Sequence, residues 1–172
     1  MLIGVLSDTH DNVSATRSIV ERMVEQGVEL AIHLGDVVSP FTLRFMRDSA
    51  RGLKFIILKG NNDGDVHLLS RISASYGWDY YSEPVFLEIG GRRMLALHGY
   101  GDIAATNKMV DALARSLDVD MVLYGHTHVA RAEFLEGKLV FNPGEACGYI
   151  TGRRSYGIVD TDTMKAKIVE AD

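Results

Sequence analysis

The chain has 172 residues, 47% hydrophobic and 24% charged, which suits one folded domain spanning 1–172 and excludes a disordered or low-complexity polymer. Its formal net charge is −5, from 18 basic and 23 acidic residues with no run of like charges, so no general nucleic-acid binding face is visible. Cys147 is the single cysteine, which excludes an internal disulfide and a multi-thiolate zinc site and fits a reducing, cytoplasmic setting.

The opening run MLIGVL lacks a basic flank and meets Asp8 at once, so it reads as a buried strand and not as a signal peptide. No apolar run approaches the roughly 20 residues needed to span a bilayer, so no membrane association is expected. Asn12 or Ser14 can cap a helix whose apolar set Ile19, Val20, Met23 and Val24 has helical spacing, and Gly27 closes it. Residues 30–34 predict a second buried strand, broken by Gly35-Asp36. A helix over 41–49 leads to a third strand, 55–58, ending at Gly60-Asn61-Asn62-Asp63, with a further helix beyond Asp63. Strand and helix alternate, as in a parallel sheet built from crossovers.

The pattern then changes. Val85–Ile89 and Arg92–Leu97 flank Gly90-Gly91, a two-residue hairpin signal. Val110, Leu113, Ala114 and Leu117 mark another helix, and Met121–Tyr124 another apolar strand, ending at Gly125-His126-Thr127-His128. The remainder, with a second hairpin at Glu136-Gly137 and β-rich segments to Val169, reads as antiparallel. The expected fold is α/β: two packed mixed β-sheets flanked by helices.

Asp8, His10, Asp36, Asn61, Asp63, His98, His126 and His128 all fall just after a predicted strand, where open α/β sheets bind ligands. Asp and Asn are ordinary turn residues, so any one of them has a bland explanation. That explanation does not bring four of six histidines to the same strand ends beside carboxylates. Imidazole and carboxylate without sulfur suit manganese, iron, nickel, zinc or magnesium.

The ordered set Asp8-Thr9-His10, Gly35-Asp36, Gly60-Asn61-Asn62-Asp63, His98-Gly99 and Gly125-His126-Thr127-His128 resembles the calcineurin-like metallophosphoesterase superfamily. The short length and Asn142-Pro143-Gly144 resemble its small prokaryotic phosphodiesterase branch, which is also similar to the metal-poor scaffold subunit of the retromer coat. The resemblance implies the four-layer metallophosphoesterase sandwich. It implies two divalent metal ions, manganese foremost, with nickel, zinc, iron or magnesium as alternatives. Asp8, His10, Asp36 and His128 would hold one ion, and Asp36, Asn61, His98 and His126 the other. It further implies hydrolysis of a small phosphodiester by a hydroxide shared between the ions. A scaffold can lose ligand residues freely, whereas this chain has all seven, so the reading is an enzyme.

Asn62 and Asp63 are the candidate catalytic residues outside the ligand set. Many superfamily members have histidine at the position of Asn62, and a carboxamide there can donate a hydrogen bond but not a proton. Asp63 is expected to support a ligand imidazole on its free nitrogen. Glu145 stands where the family resemblance leads one to expect serine. His33 is expected in a packed strand, His67 on a helix surface, Cys147 in the core, Gly152-Arg153-Arg154 in a solvated loop, and Trp78, Tyr80 and Tyr81 in the core or a subunit contact. Exposed edges at 85–97 and the Trp78 cluster lead to the expectation of a homodimer or higher homo-oligomer.

Overall fold

The computed structural model describes residues 1–171; the last residue of the expected domain, Asp172, lies outside the described residues. In chain order the elements are β1 (Leu2–Leu6), α1 (Val13–Glu25), β2 (Leu30–His33), α2 (Pro40–Ala50), β3 (Lys54–Leu58), α3 (Val66–Ser75), β4 (Asp79–Tyr81), β5 (Val85–Ile89), β6 (Arg92–Leu97), α4 (Ile103–Ser116), β7 (Met121–Tyr124), β8 (Arg131–Leu135), β9 (Lys138–Asn142), β10 (Ser155–Asp160) and β11 (Lys165–Glu170). Local chemistry sets several boundaries. Asn12 caps α1 by accepting from the Ala15 N–H, and Ser39 caps α2 with Pro40 at its first turn.

One sheet has the order β11-β10-β1-β2-β3-β4 and the other β5-β6-β7-β9-β8. In the first, β1 to β4 are parallel, while β10 runs antiparallel to β1. In the second, β6, β7 and β9 are parallel, with β5 and β8 antiparallel on the edges. The two hairpins form at Gly90-Gly91 and Glu136-Gly137 as expected, pairing Ile89 with Arg92 and Leu135 with Lys138. Both sheets are mixed as expected, but the segment after His128 is not antiparallel throughout. A hairpin fixes only its own two strands, and β9 also pairs in parallel with β7 on its other side. The last two strands return to the first sheet.

Alternation along the strands builds the layers. Ile3, Val5, Ile32, Leu34, Ile56 and Leu58 meet Met94, Ala96, Met121, Leu123, Leu139 and Phe141 between the sheets. The intervening residues Leu6, Ala31, Phe55 and Ile57 face α1, α2 and α3, and Leu95, Leu97, Val122 and Tyr124 face α4. Burial on both faces explains why these strands read as continuous apolar runs. Trp78 is buried against Phe55 and Tyr76 and belongs to the core, with Tyr80 packed partly against it, while Tyr81 is exposed. The β5 edge carries Phe86, 63% exposed.

Gly157 on β10 lies under the ring of Phe141, where an added Cβ would stand 2.3 Å from two ring carbons. Gly157→Ala should therefore overpack the space between the sheets and cost about 1–3 kcal/mol. Denaturant unfolding of the metal-stripped protein measures it, and no change in midpoint would show that Phe141 yields freely.

Candidate functional site

Five parallel strands from both sheets deliver the polar residues to one edge. Asp8 and His10 follow β1, Asp36 follows β2, Asn61 follows β3, His98 follows β6, and His126 and His128 follow β7. The backbone turns sharply at these strand ends. Asp8, His10, Asp36, His126 and His128 all have positive φ, at 55°, 39°, 60°, 66° and 59°. Such left-handed conformations cost non-glycine residues on the order of 1–3 kcal/mol each and collect at functional sites. Val38, a β-branched residue, also has φ 75°.

Buried hydrogen bonds hold these turns. Asp8 and His10 donate their N–H groups to Gly35 O and Asp36 O. His33 is fully buried between them. Its Nδ1 accepts from the Gly35 N–H, so its Nε2 donates to Thr9 Oγ1, whose hydroxyl donates to Asp36 O. Burial lowers this imidazole to about 4, so it stays neutral, a structural histidine as expected. Gly60 is needed for a close approach: a Cβ there would lie 2.2 Å from Asp36 N and Oδ1.

Asp63 has a different task from the one expected. Its buried carboxylate accepts from the backbone N–H groups of Gly60 (2.7 Å), Asp36 (3.1 Å) and Val38 (2.7 Å), and among the described residues no imidazole hydrogen-bonds to it. It ties the β2 and β3 loops together. The backbone and side-chain N–H groups of Asn62 donate to the two oxygens of Asp36, each at 2.7 Å.

At the centre, Asp36 Oδ2 lies 3.5 Å from His10 Nε2 and 3.4 Å from His98 Nε2. Asp8 Oδ1 lies 3.7 Å from His10 Nε2 and 3.4 Å from His128 Nε2. These gaps are too long for good hydrogen bonds. Asp8 Oδ1 and His10 Nε2 are buried and have no hydrogen-bond partner. Two bare atoms of a type that can ligate a metal mark a place in the interior where a cation would be stabilised. Asp8, His10 and His128 can share one ion, and Asp8, Asp36 and His98 another, by the spacing of their ligand atoms.

The imidazoles are oriented from behind. His98 Nδ1 donates to Leu34 O at 2.8 Å and His126 Nε2 to Gly101 O at 2.6 Å, because a carbonyl can only accept. The opposite nitrogens, His98 Nε2 and His126 Nδ1, each lie 2.9 Å from Asn61 Oδ1. Three acceptor-type atoms thus converge, an arrangement that needs a cation or extra protons between them. Burial would lower His98, but the Asp36 and Asp8 carboxylates outweigh it and raise the group to about 9. Burial would raise Asp36, but the charge of the nearby His98 imidazole and the hydrogen bonds from Asn62 hold it well below the usual carboxylate range.

Two supporting roles are not legible in the sequence, although Glu145 stands out there in place of an expected serine. Glu83 accepts from the N–H groups of His98 and Gly99 through one oxygen; as an acid in an ordinary loop it gave no signal. Glu145 accepts from His128 Nδ1 at 2.8 Å. It follows β9, whose end reaches this edge only because β9 is parallel to β7. Burial would raise Glu145, but donors from His128, Thr151 and Cys147 bring it down to about 2. His128, Glu145 and Cys147 lie close enough to coordinate an ion together, yet burial pushes the thiol up to about 12 and its S–H donates to Glu145, so the trio is a hydrogen-bonded cluster.

A model of the calcineurin-like phosphoesterase superfamily domain matches residues 1–164. The chain belongs to this superfamily. Calcineurin-like phosphoesterases hydrolyse phosphate esters, and the relatives agree. A phosphodiesterase of Methanocaldococcus jannaschii is 33% identical over 163 residues, 94% of each chain. A probable metallophosphoesterase of Bacillus subtilis is 31% identical over 145 residues, 84% of this phosphoesterase and 74% of the relative. The solved structure of an archaeal phosphodiesterase superposes with a TM-score of 0.89 at 32% identity, covering 99% of both chains. A zinc-bound vacuolar sorting protein Vps29 of Entamoeba histolytica shares the fold, with a TM-score of 0.71 at 20% identity over the whole of both chains.

The three bonds into Asp63 generate a test. Asp63→Ala leaves buried N–H groups of two loops unsatisfied and should destabilise the phosphoesterase by on the order of 3 kcal/mol or more. Unfolding in the presence of chelator checks this apart from any metal linkage, and a loss below about 1 kcal/mol would refute the tie.

Proposed function

We propose that this phosphoesterase is a two-metal phosphodiesterase in which Asp8, His10, Asp36 and His128 hold one divalent ion and Asp36, Asn61, His98 and His126 the other. The observation that carries this reading is the pair of bare buried ligand atoms, Asp8 Oδ1 and His10 Nε2, in a cluster where Asp36 Oδ2 stands between His10 and His98. Carboxylate, imidazole and carboxamide donors without thiolate favour a hard or borderline ion, manganese foremost. Such ions supply positive charge to phosphoryl oxygens and acidify bound water toward neutrality.

The chain's own work is orientation and selection. Leu34 O and Gly101 O fix the tautomers of His98 and His126, leaving the inner nitrogens as ligands. The cleft at the site, about 340 Å³, has Asn62, Asp102, Ile103 and Ile150 among its walls and no lysine or arginine. The cleft's own walls suit a small diester with an apolar substituent, and Arg153 lines the adjoining cavity that shares His128. The β5 edge, with Phe86 exposed, is where a second copy would pair. The lone buried thiol of Cys147 agrees with a cytoplasmic setting, and no helix among the described residues is long and apolar enough to cross a membrane.

Metal-replete protein should carry two divalent ions per chain and lose hydrolysis of an aryl phosphodiester on chelation. Elemental analysis finding fewer than two ions per chain under metal-replete conditions would sink the reading.

Asn62 bears on the leaving group. An alkoxide departs poorly unless it is protonated or coordinated, and the Asn62 amide, which donates to Asp36, has no proton to give up. The enzyme should favour phosphodiesters and activated aryl esters over alkyl monoesters. Asn62→His should raise the monoesterase to diesterase ratio of kcat/KM, by on the order of 10²-fold where the leaving group is poor. An unchanged ratio at matched metal loading would remove leaving-group protonation at this position as the cause.

A further inference from the structure

The outer nitrogens of the ligand histidines are not treated alike. His98 and His126 donate theirs to main-chain carbonyls, whereas His128 donates Nδ1 to the Glu145 carboxylate. Glu145 is fully buried. The groups around it are donors: besides His128, Oε2 accepts from Cys147 Sγ at 3.1 Å, Oε1 accepts from the Thr151 N–H and hydroxyl, and the Ile150 N–H reaches both oxygens. A proton on either oxygen would displace one of these donors, so the surroundings favour the ionised form. A carbonyl offers His98 or His126 a partial dipole; Glu145 offers His128 a full charge at 2.8 Å.

We propose that Glu145 is a positioning residue that makes the two metal sites unequal, fixing His128 as the Nδ1–H tautomer with Nε2 aimed at Asp8 and strengthening the ion held by Asp8, His10, Asp36 and His128. The inference rests on the two-metal reading above. An imidazole that donates to a carboxylate is a more basic ligand than one that donates to a carbonyl, and its ring cannot swing away without costing a buried carboxylate one of its donors. Glu145 brings this about although it offers no atom to the ion itself. Its other oxygen anchors the chain at 150–151, so one side chain orders both the ligand and the wall of the cleft that carries Ile150.

Calorimetric titration of Mn²⁺ into metal-stripped protein tests this. The native enzyme should show two unequal binding steps. Glu145→Gln should weaken the tighter step by about 10–100-fold and leave the other unchanged. With the amide NH₂ toward the ring, Nδ1 becomes an acceptor and the ring proton moves to Nε2, where it opposes the ion. Thr151→Val removes the hydroxyl donor to Oε1 but leaves the charge and the His128 contact, so both steps should persist. The proposal fails if Glu145→Gln changes neither step or both equally, or if Thr151→Val reproduces its effect, which would assign the role to loop packing. Native protein binding fewer than two ions would sink the two-metal reading itself. A measurement on native protein guards against a variant that does not fold: ¹⁵N-histidine spectra of the Cd²⁺-loaded enzyme should show His128 protonated at Nδ1, and a proton at Nε2 instead would overturn the proposal.

Discussion

Two carboxylates, Asp8 and Asp36, are held almost wholly out of water while facing imidazoles across gaps of 3.4 to 3.7 Å. Charge in that position is unfavourable unless something of opposite sign lies within reach, and the distances are too long for hydrogen bonds to do it alone. Much of the surrounding structure is consistent with keeping this arrangement from relaxing. Left-handed backbone aims the side chains inward, Asp63 fastens three backbone N–H groups behind them, and His33 with Thr9 bridges the β1 and β2 loops. None of these residues gains from the strain locally; the strand ends are held by the rigid sheets on which they stand.

Most of the architecture could be read from the chain because it rests on local signals. The apolar runs at Leu2–Leu6 and Met121–Tyr124, the Gly90-Gly91 turn and the Asn12 cap each depend on neighbours close in sequence. What escaped depends on distant partners. The β8 to β9 hairpin says nothing about what lies on the far side of β9, and that pairing with β7 is what carries Glu145 to the site. Likewise β10 follows the second sheet in sequence but pairs with β1 across more than 150 residues, from Leu2 to Asp160. A register of that kind is decided by which faces need covering once the core assembles, and a window of sequence does not contain it.

The candidate site shows the same division. Residue types suited to metal binding are visible as motifs, since each sits beside a glycine or another ligand at a strand end. Their supports are not. Asp63 lies inside a motif and looked catalytic, but its oxygens are taken up by main chain; Glu83 lies outside any motif and fixes the His98 turn. Which of two acids meets a ring and which meets a backbone is settled by a few ångströms of loop path. Fold resemblance cannot supply that difference either, because function lives in the site and not in the fold.

The division of the ligands between the sheets has a mechanical consequence. Asp8, His10, Asp36 and Asn61 stand on one sheet, while His98, His126 and His128 stand on the other. Each proposed ion therefore takes ligands from both, and loading them would rivet the sandwich along a single edge. At the opposite edge, where the Gly90-Gly91 turn rests on Thr161, the fastening is by hydrogen bonds from Arg92 to Thr161 O and Asp162 O. With the ions bound, the two sheets would behave as the covers of a book bound most tightly at the site, and the contact between Phe141 and Gly157 would set how far apart the binding holds them.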